Sequence, residues 1–353
     1  MRVVRVTAFD ARAARGKPAA CHRMGQLEKD RFRLVAYTTL GHRIDPRIPL
    51  SIAWMTLMGL LIVFLLLTPL TSIRLNPYDR LDQIFDHLQV PRENVPKHYE
   101  INLKVFLPYR PGVDYGKRNF TFDGFVKIIF RCETPNRKIL LHSARQLGFR
   151  VQLFDDLGKE ISLQDHYHNH SQELLHIQPA DLLTAGVDYT LHINYTGGFD
   201  NGNFTGIYSA PYRHETEKRW MLATHLQSMD ARTLFPCFDI PDAKAKFKAT
   251  VEHPFGTNAV SNTIETLVVN NGNWTITAFK ETPLMSTYLF ALCVSDFPYT
   301  ETHTLKGVRV RVYTEPSKVN DTGTALDIVP RLLDFYEDYF QYEYPLMKLG
   351  ELI

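Results

Sequence analysis

Apolar and polar residues alternate with a period of two over much of the chain between residues 95 and 314. In the first such segment, the apolar residues of Tyr99–Leu107 alternate with Glu100, Asn102 and Lys104, so one face is apolar and the other mostly polar. Six further segments carry the same alternation: Phe120–Arg131, Lys138–His142, Phe149–Phe154, Tyr189–Tyr195, Phe247–His253 and Val308–Tyr313. Many short strands separated by turn residues predict a mainly β domain, built as an antiparallel saddle or sandwich.

Two segments depart from this alternation. Ser286–Val294 is continuously apolar at its centre, which predicts a strand buried on both faces. Between Thr322 and Tyr342 the apolar residues recur at helical spacing, which predicts one helix after the β domain. Pro330 lies inside this segment and predicts a kink or a late start of the helix.

The stretch Met221–Phe247 follows neither period. It combines Pro236 and Pro241 with Cys237, two phenylalanines and several charged residues. An irregular segment of this kind must satisfy its backbone polar groups through specific contacts. We therefore predict that it is ordered and partly buried, and that it serves as a structural keystone or as the wall of a site.

A long uncharged segment precedes the β domain. No charged residue occurs from Ile48 to Ile73, and about 20 apolar residues are enough to cross a bilayer. Residues 1–47 carry eleven Lys and Arg residues against four acids, although the whole chain has a net charge of only +2. The sequence therefore predicts a single-pass type II signal anchor with a cytoplasmic basic tail. A buried core helix is the alternative for the segment, and nucleic-acid binding is a less favoured explanation of the basic tail.

Glycosylation sequons and cysteines fit this orientation. All six Asn-x-Ser/Thr sequons lie beyond the apolar segment, at Asn119, Asn169, Asn194, Asn203, Asn273 and Asn320. Three of the four cysteines also lie there, and an odd number argues against a disulfide framework. We therefore expect a glycosylated extracellular or luminal domain at the plasma membrane or another membrane of the secretory pathway.

The length of 353 residues favours two domains with appendages. The strand pattern ends near Glu315, where the helical pattern begins. We divide the chain into a cytoplasmic tail (1–47), a transmembrane anchor (48–73), a stalk (74–94), a β domain (95–314), and a helix with the start of a further domain (315–353).

The common catalytic motifs do not occur in the sequence. There is no His-Glu-x-x-His, since His214-Glu215 is followed by Thr216-Glu217-Lys218. There is also no Gly-x-Ser-x-Gly, no phosphate-binding Walker loop and no Gly-x-Gly-x-x-Gly. The absence of these motifs argues against the classes of hydrolase, nucleotide-binding and dinucleotide-binding proteins that contain them.

Three side-chain groups are weaker candidates. His166, His168 and His170 would share one face of a strand and could hold zinc or copper, but a solvated loop is favoured. Asp230 and Arg232 are candidates for a catalytic pair, and a structural salt bridge between them is favoured. Cys237 has no electropositive neighbour in sequence, which favours a buried thiol over a nucleophile.

Several segments resemble the aminopeptidase N family of zinc metallopeptidases. Val95-Pro-Lys-His-Tyr-Glu-Ile-Asn-Leu103 is similar to the first strand of the family, and Gly206-Ile-Tyr-Ser209 resembles its Gly-Phe-Tyr-x-Ser. Tyr344-Pro-Leu-x-Lys348 resembles the join to the catalytic domain. The most specific match is the signature formed by Asp230, Arg232, Phe235, Pro236, Cys237, Phe238, Asp239 and Pro241.

This resemblance implies a fold and an activity. Family members pack an N-terminal β-saddle on a thermolysin-like domain, which binds zinc and releases N-terminal amino acids from peptides. The chain ends before the family's His-Glu-x-x-His, so residues 315–353 would be only the start of the catalytic domain. We therefore expect no catalytic residue, no metal ligand and no cofactor in this chain, and we expect it to be inactive alone; zinc belongs to the complete family enzyme.

Two positions of the signature region differ from the family pattern. The family's Thr-Gln, whose glutamine lines the pocket near the amino end of the peptide, is Thr224-His225 here. The usual Asp-Glu-Pro is Asp239-Ile240-Pro241. An imidazole can change its protonation in the physiological range, whereas an amide cannot. His225 is therefore the predicted substrate-binding residue and the one most in need of a structural test.

Two functional hypotheses remain open at this point. The first is the N-terminal domain of a type II membrane zinc aminopeptidase-like protein. The alternative is a non-catalytic ectodomain, receptor-like or decoy, that binds peptides or protein partners. The expected partners are a membrane and a peptide or protein, but not a nucleic acid; a homodimer would agree with the family ectodomains.

Overall fold

The computed structural model describes residues 90–201 and 204–352. Over these ranges the chain is mainly β, with one α-helix near the C-terminal end. The strands are β1 (Asn94–Phe106), β2 (Thr121–Cys132), β3 (Ile139–His142), β4 (Leu147–Phe154), β5 (Glu160–Ile161), β6 (Leu163–Asn169), β7 (Leu174–Pro179), β8 (Asp188–Gly198), β9 (Asp200–Asn201), β10 (Gly206–His214), β11 (Glu217–His225), β12 (Lys246–Pro254), β13 (Asn258–Ser261), β14 (Glu265–Asn271), β15 (Trp274–Phe279), β16 (Leu292–Ser295), β17 (Tyr299–His303), β18 (Arg309–Tyr313) and β19 (Lys348–Leu352). The α-helix is α1 (Gly323–Phe340), and short 3-10 helices span Gly116–Arg118, Ala231–Thr233, Thr287–Leu289 and Pro316–Thr322.

The largest sheet has eight strands in the order β14-β15-β12-β1-β2-β8-β4-β5. Most neighbours pair antiparallel, as predicted, but β1 pairs with β12 in parallel, with His98 opposite Lys246 and Lys104 opposite Glu252. A parallel pair needs a long crossover connection, and here the whole chain between the two strands provides it. The predicted antiparallel arrangement therefore holds for these other neighbours but not for the central pair of β1 and β12.

The apolar alternation of β1 is explained by burial. Tyr99, Ile101, Leu103 and Val105 are buried, while the residues between them are partly exposed. The ring of Tyr99 stacks on Phe247 of β12, with centroids 4.9 Å apart. The side chains on one face of the central parallel pair thus form part of the core.

Three smaller sheets complete the fold. A five-stranded sheet has the order β13-β16-β11-β10-β9, and two three-stranded sheets have the orders β3-β7-β6 and β17-β18-β19. Ile101 of the large sheet, Leu222 of the five-stranded sheet and Ile177 of the β3-β7-β6 sheet belong to one buried cluster. The eight-stranded sheet, the five-stranded sheet and the β3-β7-β6 sheet therefore pack around a common hydrophobic core, as layered β domains do. The β17-β18-β19 sheet instead carries α1.

Two segments differ from the sequence-based expectation. The apolar run Ser286–Val294 is not one buried strand, because a 3-10 helix interrupts it and only its last part enters β16. Between the 3-10 helix and β16, the backbone N–H of Ala291 donates a hydrogen bond of 2.8 Å to the side chain of Asn262 instead of to a neighbouring strand. His166 and His168 lie on β6 rather than in a solvated loop, because β7 pairs with this segment.

The predicted helix is confirmed as α1, which contains Pro330. Among residues 90–201 and 204–352, no helix is long and apolar enough to cross a membrane. The predicted anchor at 48–73, the tail before it and most of the stalk lie outside the described residues. The proposed domain boundaries therefore remain predictions.

Candidate functional site

The segment between β11 and β12, residues 226–245, is the structural keystone of the domain. Every residue from Ala231 to Asp239 is buried. Its backbone is held by partners in other elements: His142 and Cys237 exchange two backbone hydrogen bonds of 2.8 and 3.0 Å, and the hydroxyl of Tyr99 accepts one from Phe238 at 3.1 Å. These contacts, one of them an isolated β-bridge to His142, satisfy the buried backbone groups and fix the path of the keystone.

A buried ion pair lies at the centre of the keystone. Arg232 Nε is 3.1 Å from Asp239 Oδ2, and the two side chains are 6% and 1% exposed. The other carboxylate oxygen of Asp239 accepts a hydrogen bond of 2.8 Å from the hydroxyl of Thr287. Arg232 also contacts Glu173 at 3.3 Å. Arg232 therefore does form a structural salt bridge, but with Asp239, and the predicted pairing with Asp230 is wrong.

Asp230 has a different role. Its backbone carbonyl accepts hydrogen bonds from the backbone and the hydroxyl of Thr233, at 3.0 and 2.7 Å. Burial raises the pKa of its carboxyl, and the neighbouring charge of Asp239 adds to that effect. Asp230 thus shapes the short turn that precedes the buried segment.

Apolar packing completes the keystone. The ring of Phe235 lies 5.6 Å from Phe290 and 5.8 Å from Tyr99, measured between centroids. Cys237 is a free, buried thiol, as predicted. Burial raises its pKa well above the usual range, which disfavours the thiolate that a nucleophile requires.

The keystone positions the hairpin formed by β10 and β11. Gly206 has a φ of +70°, and a Cβ placed on it would lie 2.4 Å from Thr233 Oγ1. The same hydroxyl accepts a hydrogen bond from the backbone of Ile207 at 3.2 Å. Gly206 is the register partner of His225, the last residue of β11. Thr233 of the keystone therefore binds the start of β10. That strand pairs with the end of β11, where His225 is exposed.

The exposed side of the five-stranded sheet forms the candidate site wall. His225 is exposed, with Nδ1 3.2 Å from the carbonyl oxygen of Phe204. A pocket of about 390 Å³ lies along the same wall and includes Ala223 and Thr224, but His225 is not among its lining residues. The remaining lining residues come from neighbouring strands and from the segment 344–352: Tyr208, Met221, Val260, Ser261, Asn262, Ala291, Leu292, Cys293, Tyr344, Leu346, Lys348, Leu349, Gly350 and Leu352.

Comparison with known proteins identifies the family of this domain. The model of the Peptidase M1 N-terminal domain matches residues 95–289, which is more than half of the chain. The chain belongs to the M1 aminopeptidase family. It matches that family through the N-terminal domain, whose signature residues form the keystone.

Curated relatives agree with this assignment. The human thyrotropin-releasing hormone-degrading ectoenzyme is 34% identical over 261 residues, covering 73% of this chain and 23% of the relative. Aminopeptidase M1-C of Oryza sativa subsp. japonica is 34% identical over 275 residues, covering 77% and 29%. Human endoplasmic reticulum aminopeptidase 1 is 33% identical over 270 residues, covering 75% and 27%. The chain thus spans about a quarter of the length of these relatives.

The M1 family is zinc-dependent, and a zinc ion needs several His, Cys, Asp or Glu side chains that converge on one point. Within the described ranges, no group of three His, Cys, Asp or Glu side chains is arranged to hold one. His168 and His170 lie 4.3 Å apart between ring centroids, but His168 Nε2 is 2.8 Å from the carbonyl oxygen of Ser143. The described part of this M1 domain therefore does not fit the zinc ion, and no zinc-dependent step is assigned to it.

The predicted sequons occupy three kinds of position in the M1 domain. Asn194, Asn273 and Asn320 are exposed. Asn119 and Asn169 are half-buried, and their side-chain amides donate hydrogen bonds to Asp114 at 2.6 Å and Gln172 at 2.8 Å. Asn203 lies outside the described residues.

One buried side chain that lines the pocket was not singled out from the sequence. Lys348 was seen only as the last residue of the Tyr344-Pro-Leu-x-Lys348 motif. It is 4% exposed, and it lines the pocket of the wall. No local signal could have revealed this burial, because it depends on the parallel pairing of β18 with β19.

Proposed function

We propose that the chain is the N-terminal domain of a membrane-anchored zinc aminopeptidase-like protein, and that its wall contacts the amino end of a peptide substrate. The observation that carries this proposal is the exposed position of His225 at the end of β11. The family resemblance gives this position to the glutamine that lines the substrate pocket. The keystone supports the proposal because it fixes the strand opposite His225 through Thr233.

The hydrogen bond of His225 suggests how it would act. A carbonyl oxygen only accepts, so the contact with Phe204 requires Nδ1 to donate. In the neutral imidazole this leaves Nε2 as an acceptor for the α-ammonium group of a peptide. A glutamine at the same position would use its amide oxygen.

We further propose that the 353-residue chain does not hydrolyse peptides on its own. Its sequence contains no His-Glu-x-x-His, and it spans about a quarter of the relatives named as aminopeptidases. An aminopeptidase assay of the purified chain, combined with elemental analysis, tests this. We expect no release of N-terminal residues and no stoichiometric zinc, with full-length human endoplasmic reticulum aminopeptidase 1 as the positive control. Turnover together with stoichiometric zinc would overturn the proposal.

The membrane topology is part of the same proposal. The basic segment 1–47 supports a cytoplasmic tail, and the sequons beyond residue 73 support a luminal or extracellular domain. Translation in the presence of microsomes should give a product that loses mass with an endoglycosidase. Asn194→Gln, Asn273→Gln and Asn320→Gln should each remove one glycan. An unmodified product that is fully digested by added protease would contradict this topology.

A second candidate function is the non-catalytic binding ectodomain. The observation that favours it is the row of exposed aromatic side chains on α1, where Phe335, Tyr339 and Phe340 are 57%, 68% and 61% exposed. Exposed apolar surface of this kind is typical of an interaction site. A pulse-chase measurement separates the two functions. A stable chain of 353 residues that reaches the cell surface favours the binding ectodomain, and rapid retention and degradation favours the domain of a longer enzyme.

A further inference from the structure

Lys348 is a buried residue whose nearest attracting charge, Glu265, does not form an ion pair with it. Lys348 is 4% exposed, yet its side chain makes no hydrogen bond or ion pair with any other residue in the described ranges. Its Nζ lies 3.6 Å from the point where a Cβ on Gly350 would stand, and Val260 Cγ1 lies 3.7 Å from the same point. Gly350 and Val260 both line the pocket. The ammonium group is therefore located on the pocket face of β19.

The charges around Lys348 leave a positive excess. Arg309, its register partner on β18, is bound to Glu265, and Arg311 lies 3.4 Å from the same carboxylate. Arg311 also contacts Glu301 at 2.6 Å. Three cations thus share two carboxylates, and both carboxylates are already bound by arginine. Arg309 Nε is also buried without a partner among the described residues, so the cations of this cluster outnumber its carboxylates by one.

The walls of the pocket are mostly apolar. Met221, Val260 and Leu349 contribute aliphatic surface, and Tyr208 and Tyr344 contribute aromatic rings. Cys293 also faces the pocket, and burial raises the pKa of its thiol to about 12, so it remains neutral at pH 7. The pocket of about 390 Å³ is large enough for several non-hydrogen ligand atoms.

We propose that this pocket binds a small apolar monocarboxylate, whose carboxylate contacts the ammonium group of Lys348 and whose hydrocarbon part lies against the apolar walls. A single unpaired ammonium matches one negative charge, and a charge-assisted hydrogen bond is about twice as strong as a neutral one. A phosphate dianion would bring more charge than one lysine balances, and it would meet apolar walls. A cationic ligand would be repelled.

This site is distinct from the one in the proposed function. The peptide amino end is positively charged and is assigned to His225, which does not line the pocket. A carboxylate at Lys348 needs neither peptide binding nor catalysis. The two proposals can therefore fail independently.

Isothermal titration of the 353-residue chain at pH 7 tests the proposal, with 4-phenylbutyrate as the probe and 4-phenylbutanol as its neutral analogue. We expect saturable 1:1 binding of the acid and binding of the alcohol weaker by roughly tenfold or more, since hydrogen bonds to charged groups are the stronger class. Equal affinity for both probes, or no binding of the acid, would overturn the proposal.

Two variants distinguish the role of the charge of Lys348 from the role of the free volume beside its Nζ. Lys348→Met keeps the length of the side chain and removes its charge, and it should weaken binding of the acid by roughly tenfold or more. Gly350→Leu keeps the lysine but fills the space beside its Nζ, and it should also abolish binding. The matched control Lys244→Met changes an exposed lysine away from the pocket and should bind as the unchanged chain does. Undiminished binding by Lys348→Met would contradict the assignment.

Discussion

Two buried cations of this domain have opposite surroundings. Arg232 in the keystone contacts Asp239 at 3.1 Å and Glu173 at 3.3 Å, and its ion-pair partner accepts a further hydrogen bond from Thr287. Lys348, which lines the pocket, is equally buried but forms no ion pair with Glu265, the carboxylate bound by its neighbouring arginines. A satisfied buried charge fixes a structure, whereas an unsatisfied one costs stability and is available to a ligand. The comparison separates the structural part of the M1 domain from the part for which we propose a ligand.

The largest expected effect comes from the keystone. Arg232→Met should lower the free energy of unfolding by about 3–5 kcal/mol, because it leaves the carboxylate of Asp239 buried and unpaired. Urea unfolding of the chain measures this loss. The double variant Arg232→Met/Asp239→Leu removes both charges and should recover part of it. A single variant as stable as the unchanged chain would mean that the pair contributes nothing to the keystone.

The next effect tests the link between keystone and wall. Gly206→Ala should destabilise the domain by about 2–4 kcal/mol, because it forces a side chain into a left-handed backbone conformation and against Thr233 Oγ1. The exposed Gly272→Ala is the control, because φ there is also positive at +61° but nothing lies within 4 Å of the added Cβ. The excess loss at Gly206, measured by thermal unfolding, reports the contact with the keystone; equal losses at both positions would refute it.

A gain in stability is expected when the buried charge of Lys348 is removed. Burial lowers the pKa of Lys348 to about 8, so the unfolded chain binds this proton more tightly than the folded chain. Below pH 8 the lysine is therefore charged in both states and destabilises the fold. Lys348→Met should raise the free energy of unfolding at pH 7 by about 1–3 kcal/mol.

The pH dependence gives this prediction a second readout. The advantage of Lys348→Met over the unchanged chain should shrink as the pH rises from about 8 toward the ordinary lysine value, because the folded chain then loses the buried charge. Urea unfolding at pH 7 and pH 10 measures the difference. A gain that stays constant with pH would assign the effect to packing instead of charge.

The smallest effect is expected at His225. His225→Gln should change the free energy of unfolding by less than about 0.5 kcal/mol, because exposed positions away from buried contacts tolerate substitution. Thermal unfolding checks this. A loss above 1 kcal/mol would show that His225 belongs to the structural part of the domain and would weaken its assignment to peptide recognition.

The sequence predicts the elements better than their arrangement. The alternation in Tyr99–Leu107 correctly predicts β1, because burial of one face follows directly from a period of two. The parallel pairing of β1 with β12 cannot be predicted from local sequence, because a parallel and an antiparallel neighbour would bury the same side chains of β1. The prediction of one buried strand at Ser286–Val294 is wrong, because a 3-10 helix interrupts the apolar run before β16. The residues of this run are buried only in part, with Leu289 50% exposed, and its irregular backbone binds side chains such as Asn262.

The residues of the candidate site were also predictable only in part. His225 was found through the family resemblance and not from its own pattern. The ion pair of Arg232 was expected, but local sequence favoured Asp230 over Asp239, which only the fold of the keystone brings to Arg232 Nε. The burial of Lys348 depends on strands that meet from distant parts of the chain. Sequence pattern therefore predicts which residues are buried along a strand, but not which charges meet.

The most direct test of this account is a paired unfolding measurement of Arg232→Met and Lys348→Met in urea at pH 7. The two changes replace a buried cation by the same neutral side chain, so the sign of each effect reports whether the cation is satisfied. The account predicts a large loss of stability for Arg232→Met and a gain for Lys348→Met. A loss of stability in both variants would contradict the claim that Lys348 is an unpaired charge that lines the pocket.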